Sequence, residues 1–498
     1  MQRLLRLTIL PIARLLQGLT TASHRGLMRK MLILAAMLST AALLFAQAPQ
    51  PQDTAASRQF AAWLTAFNSG DRAALLQYFE KNRPSEVAKV DDELQFRQQT
   101  GGFELKKTEE STATRFVALL KERDSDQFAR IELEVAAAGP HLVTKVELRA
   151  IPRPPEFAIP RMSEKEATAA LRQQLEKATS ADRFSGAVIV AKDGKTVFSQ
   201  AYGFADREKK IPNQLGTQFR IGSMNKMFTA VAVLQLVQAG KIKLSDPLGE
   251  YLPDYANKDV AAKVTIHHLL THTGGTGDFF GPEFDAHRLE LRTLQDYVKL
   301  YEKRAPAFEP GSRWDYSNYG FLLLGVVVEK VSGQSYYDYV REHVFKPAGM
   351  NSTDSLPESE PVPGRSIGYT KEDGSKDWKP NTDTLPWRGT SAGGGYSTVE
   401  DLLRFASALQ NHKLLNAEHT DLLVTGKVDT PRGKYAYGFQ DSTEAGVRCF
   451  GHGGGAPGMN GDLRICPASG YVIAVLANLD PPAAQRVSEF IGSRLPAP

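Results

Sequence analysis

Residues 151–161 read IPRPPEFAIPR, with four prolines in eleven positions. Each proline fixes φ and lacks an amide hydrogen, so the stretch can continue neither a helix nor a central strand. It is expected to act as a linker between two separately folded parts, 53–150 and 162–498. The chain has 498 residues, 42% of them hydrophobic and 23% charged, enough for a sizeable core in each part and too apolar for a disordered chain.

Residues 1–48 have a different character. The first thirty residues carry six Lys or Arg and no acid, and MLILAAMLSTAALLFA follows from Met31 to Ala46. A basic stretch before an apolar run shorter than a comfortable membrane span, with small residues at Ala46 and Ala48, is expected to be a cleaved export signal, an uncleaved anchor being the alternative. Met28 reads as a start within this leader. The protein is then periplasmic or secreted, and meets a membrane only if the leader stays attached. Removing the leader's six basic residues leaves 54 Lys and Arg against 56 Asp and Glu, so the basic pI of 8.7 comes from the leader and implies no nucleic-acid surface. The only cysteines, Cys449 and Cys466, flank what looks like a hairpin, and are read as either a cross-strand disulfide or two buried thiols.

From residue 58, RQFAAWLTAFNSGDRAALLQYFEK has helical periodicity broken at Asn68-Ser69-Gly70, which predicts two helices around a tight turn, with Asp71 capping the second. FELKKTEES, TRFVALLKER, QFARIELEVAAA and HLVTKVELRAI then read as four strands. Residues 53–150 are therefore a small α+β unit. Through FNSGDRAAL it resembles the nuclear-transport-factor-like cone fold, which implies an accessory or pocket-bearing domain.

After the linker, EKEATAALRQQLEKATS reads as an amphipathic helix, and SGAVIVAKDGKTVFSQAYG as a hairpin turning at Asp193-Gly194. Helical material fills the middle, and strands return late as KYAYGFQ, GVRCFGH, GDLRIC and YVIAVLANL. The expected architecture is α+β: an antiparallel sheet built from both ends of the domain, flanked by helices and joined to a helical region.

Three stretches carry chemistry. In RIGSMNKMFTA, extended residues lead through Gly222 into an apolar helix expected over 223–239, which puts Ser223 and Lys226 on one face. A serine hydroxyl needs a base to become a nucleophile, and a lysine whose pKa is depressed by burial can serve. In RWDYSNYG, Tyr316 and Asn318 precede a helix expected to begin near Gly320; a phenol can relay a proton and an amide can orient a carbonyl. In FGHGGGAPG, His452 and its glycines are expected at the end of a strand, where backbone N–H groups are free to meet a substrate. No G-K-[ST] follows, so this is not a phosphate loop, and the absence of G-x-S-x-G excludes the α/β-hydrolase route to serine chemistry. His268 and His272 lie four apart, but the pair lacks the intervening Glu of a zinc helix, so neither metal nor cofactor is expected.

These three motifs, in this order, resemble the serine β-lactamase and penicillin-binding-protein superfamily, in its branch of class C β-lactamases, D-Ala-D-Ala carboxypeptidases and related esterases. TIHHLLTHTGGTGDF, FEPGSRWDYSNYGFLLLG, FKPAGMNST and SAGGGYSTVEDLLRF share the likeness, which runs over residues 165–495. The resemblance implies an acylated Ser223 with Lys226 as proton partner and Tyr316 as general base or relay. It also implies Asn318, His452 and Gly454 as substrate-binding residues, and an oxyanion hole from the N–H groups of Ser223 and Gly455. The expected activity is an exported serine hydrolase acting on an ester, an amide or a D-amino-acid peptide, with a small-molecule or short peptide substrate. The alternative is a penicillin- or peptidoglycan-fragment-binding protein with little turnover. The third motif departs from the family's lysine- or histidine-led pattern at Gly453, and a histidine supplies no permanent cation for a substrate carboxylate.

Overall fold

Helix α1 (Ala55–Ser69) begins where Thr54 accepts a hydrogen bond from the Ser57 amide at 3.1 Å, and stops at Gly70 with φ 66°. Asp71 then caps α2 (Arg72–Asn82) by accepting from the Ala73 and Ala74 amides, so the Asn68-Ser69-Gly70 break separates two helices. The computed structural model describes residues 53–371, 375, 377–431, 433–444 and 446–498; the leader lies outside them. Among the described residues, no helix is long and apolar enough to cross a membrane.

Strands β1 (Phe103–Ser111), β2 (Arg115–Glu122), β3 (Phe128–Val135) and β4 (Val143–Ile151) follow, hydrogen-bonded in sequence order. Phe60 and Trp63 of α1 lie three apart on one buried face, and Phe60 stacks on Phe116 of β2 with ring centroids 4.4 Å apart. By contact density the described chain divides into two units. The first holds residues up to 90, 104–120 and 129–150; the second holds 91–103, 121–128 and 151–498, so the division is interleaved rather than a single cut at the prolines.

In the second unit, Ser163 caps α3 (Glu164–Ser180) through a reciprocal bond with Glu166. Strands β5 (Gly186–Lys192) and β6 (Lys195–Tyr202) turn at Asp193-Gly194, both with positive φ, as the D-G pair demands. The central helix α4 (Asn225–Gln238) and a later one, α5 (Asn318–Ser332), are buried almost all round, which accounts for their unbroken apolar runs. Late in the chain come β7 (Val428–Thr430), β8 (Gly433–Tyr435), β9 (Gln440–Glu444), β10 (Val447–Ala456), β11 (Met459–Cys466) and β12 (Tyr471–Ala477). One antiparallel sheet runs β7-β8-β9-β10-β11-β12-β5-β6, with β12 pairing β5 from Tyr471↔Lys192 to Ala477↔Gly186. Helix α6 (Ala483–Gly492) packs on β11 and β12. The register that pairs Phe450 with Ile465 places the next pair outward, Cys449 and Cys466, side by side, and they form a disulfide.

Four local expectations give way. KYAYGFQ is not one strand: it turns at 436–439, because Gly438 (φ 69°) passes so close over α4 that an added Cβ would lie 2.7 Å from the Lys226 carbonyl. Ser223 lies not in the α-helix but in a 3-10 turn, Gly222–Met224, that precedes it. Helix α5 starts at Asn318, two residues earlier than expected, since Ser317 caps it by accepting from the Gly320 amide at 2.9 Å. Finally, β10 does not end at His452; it continues through the glycines, His452 opposite Leu463 and Gly455 opposite Asn460.

Candidate active site

The 3-10 turn carrying Ser223 is held on two sides. The Ile221 amide donates to the Gly395 carbonyl at 3.2 Å and the Gly394 amide to the Gly222 carbonyl at 3.1 Å. On the other side lies β10, so close that a Cβ added at Gly454 would sit 1.9 Å from the Ile221 carbonyl oxygen and one at Gly222 would sit 3.1 Å from the Gly455 amide nitrogen. That approach is open only to glycine and brings the backbone of Gly455, which is exposed, beside Ser223, which is half-buried. Gly454→Ala should therefore lower stability by about 3 kcal/mol, as overpacking against an immovable backbone atom does. It should also abolish acylation at Ser223; a thermal melt and a mass spectrum after exposure to an activated ester check both.

Lys226, one turn into the helix, is fully buried. Its ammonium has three acceptors: Ser223 Oγ at 3.3 Å, Asn318 Oδ1 at 2.7 Å and the Ala392 carbonyl. It also lies 4.7 Å from the centroid of the Tyr316 ring. Burial pushes its pKa down to about 7, against an opposing pull from the Asp278 carboxylate. With the proton gone, the amine can keep its two shorter bonds and turn its lone pair to Ser223. The Tyr316 hydroxyl bonds Ser223 as well, and burial raises its pKa, so it stays a neutral phenol.

Two of the expected substrate-binding residues have hydrogen-bond partners within the protein. His452 is 3% exposed; its Nδ1–H donates to the Gly453 carbonyl, and its Nε2 accepts from the Tyr435 hydroxyl at 3.0 Å. Burial, with Lys226 nearby, lowers its pKa to about 4, so it is neutral and has no ring nitrogen left for a carboxylate. Asn318 has both ends of its amide engaged, Oδ1 with Lys226 and Nδ2 with Asp278 Oδ2 at 2.7 Å.

His268 and His272 do not converge. His268 Nδ1 accepts from the Thr265 amide at 3.3 Å, whereas His272 is buried against Tyr316, ring centroids 4.2 Å apart, and accepts from the Ser317 amide at 3.0 Å. No cluster of three potential metal ligands occurs among the described residues. The sequence reading missed Asp278, a lone acid in GTGDF, and the Ala392 carbonyl. The first had a signal, an isolated carboxylate in a Gly- and Thr-rich loop; the second had none, since any residue offers a carbonyl.

The β-lactamase family model matches residues 169–495, more than half of the chain. A penicillin-binding protein of Bacillus subtilis is 31% identical over 296 residues, covering 55% of this chain and 64% of that one. The crystal structure of a penicillin-binding protein from Bacillus halodurans superposes with a TM-score of 0.59 at 36% identity, covering 64% of this chain and 99% of that one. A D-stereospecific amidohydrolase from a Streptomyces species superposes with a TM-score of 0.56 at 30% identity, covering 65% and 99%. The serine, lysine and tyrosine gathered on this sheet and helix frame thus sit in a chain that belongs to the β-lactamase and penicillin-binding-protein superfamily of serine hydrolases.

Proposed function

We propose that the protein is an exported serine hydrolase that forms an acyl-enzyme at Ser223 from esters or amides lacking a carboxylate beside the scissile bond. The observation that carries this is the buried Lys226, at its lowered pKa, within reach of the half-buried Ser223 hydroxyl. In the first step neutral Lys226 takes the Ser223 proton as Oγ bonds the acyl carbon, and the N–H groups of Ser223 and Gly455 receive the developing oxyanion. Tyr316 gives its proton to the leaving alcohol or amine and regains one from the protonated Lys226, so the lysine is again a neutral base when water attacks the acyl-enzyme; the proton it takes from that water returns to Ser223 Oγ as the acid leaves. The raised pKa of Tyr316 favours the lysine over the tyrosine as base.

A neutral, internally bonded His452 is a poor anchor for a penicillin's carboxylate, and the 30% identical D-stereospecific amidohydrolase makes D-amino-acid amides reasonable substrates to try first. The Cys449–Cys466 disulfide supports the export reading of the leader, because such bonds persist in oxidising compartments. Residues 53–150 are assigned an accessory role, supported by an interior packed with aromatic side chains.

The test is intact mass after brief exposure to p-nitrophenyl acetate, D-phenylalanine amide or benzylpenicillin. An acetyl adduct or amide turnover, with slow or no penicilloylation, is the expected result. No adduct and no turnover with any of the three would sink the hydrolase reading in favour of a binding protein. The pH dependence follows from the same groups: log kcat/KM should rise with slope one as Lys226 loses its proton and level off above pH about 7. Neither His452 nor Tyr316 should add a limb between pH 5 and pH 9, because one is already neutral and the other still protonated there.

A further inference from the structure

We infer that Asp278 is a positioning residue for the reaction: its carboxylate fixes the amide of Asn318 so that an oxygen, and never an N–H, faces Lys226. This rests on the hydrolase reading above for its meaning, but its geometry stands alone. Both carboxylate oxygens are engaged within the protein. Oδ1 accepts from the Phe279 and Phe280 amides at 2.7 and 3.1 Å, and Oδ2 accepts from Asn318 Nδ2 at 2.7 Å.

A carboxylate only accepts, so the amide it meets must present its NH2 group. That leaves Oδ1 of Asn318 pointing at Lys226 Nζ, 2.7 Å away. With the amide reversed, an N–H would be aimed at the lysine. It would oppose the ammonium, or else capture the lone pair of the neutral amine and keep it from the Ser223 proton.

The carboxylate also acts through its charge. The titratable groups facing Lys226 are Tyr316 from the loop before α5, His272 beneath that loop, His452 and, behind it, Tyr435 from the sheet, and Asp278. Burial keeps both histidines neutral and both tyrosines protonated. Asp278 is thus the group that pulls the lysine pKa up against its desolvation.

The experiment is an NMR titration of 13Cε-lysine-labelled protein, with the Lys226 signal assigned by its loss in Lys226→Met, alongside stopped-flow acylation by p-nitrophenyl acetate. In Asp278→Asn the backbone amides of Phe279 and Phe280 still claim the side-chain oxygen, so its NH2 faces Asn318 and forces that amide to turn. The Lys226 midpoint should fall by about one pH unit, and acylation at pH 8 should slow about tenfold, with KM changed less than twofold. Asp278→Asn combined with Asn318→Asp returns an acceptor and a charge to the lysine, and should bring the midpoint back to the wild-type value or above. An unmoved or raised midpoint in Asp278→Asn, in protein with an unchanged melting temperature, overturns the proposal. So does a double variant whose midpoint stays low. Because the titration needs no turnover, its outcome is separate from failure of the hydrolase reading, which shows as an unreactive wild type.

Discussion

Ser223→Ala should lower kcat/KM for an activated ester by about 100,000-fold, and no acyl adduct should accumulate. The size follows from losing covalent catalysis as a whole: when a nucleophile is removed, what survives is binding and the oxyanion site, a residual far smaller than the full enhancement. The fold should persist, because among the described residues the hydroxyl reaches Lys226 and Tyr316 alone, and the Gly222–Met224 turn is held by backbone bonds and by β10. A melt within a few degrees of wild type, together with lost acylation, is the expected pair of results. Undiminished ester turnover in this variant would place the nucleophile elsewhere.

Lys226→Met should cost about a thousandfold in acylation rate, the usual scale for losing a general base, while leaving KM little changed. Its effect on stability carries a sign that can be worked out. The folded pKa of Lys226, about 7, lies below the unfolded value near 10.5. Between those values the unfolded chain holds a proton that the folded one lacks, so wild-type stability rises with pH across that window. Methionine removes this slope, so the stability of the variant relative to wild type should improve as pH falls from 10 to 7. Chemical denaturation at several pH values measures it, and a difference that is flat with pH would show that Lys226 is not buried as a depressed base.

Much of this was legible in the chain because local chemistry and long-range packing agree. The α3 helix, the D-G hairpin and the strands β1–β4 carry their caps, turn residues and periodicity in adjacent positions, and these suffice. Ser223, Lys226 and Tyr316 stand out as candidates because each lies in a short motif of fixed spacing, and the structure brings the three side chains together. What was not readable depends on neighbours remote in sequence. Nothing within KYAYGFQ announces that Gly438 must clear a helix some 200 residues earlier in the chain. Nothing near His452 says that Tyr435 will close over it and leave it neutral. Likewise nothing near Asn318 says that Asp278, forty residues away, will hold its Nδ2 end.

The pairing of β12 with β5 sets a clock on the assembly of the candidate site. Strand β10 brings Gly455 to Ser223, yet it is tied into the sheet through β11 and β12, and among the described residues β12 alone joins that late group to β5 and β6. Ser223 and Lys226 leave the ribosome more than two hundred residues before the strand that seats their partner. A nascent chain therefore carries Ser223 and Lys226 without the Gly455 edge beside them, and contacts of such long sequence separation form late and slowly. The candidate site is thus complete only once the late strands have joined the sheet.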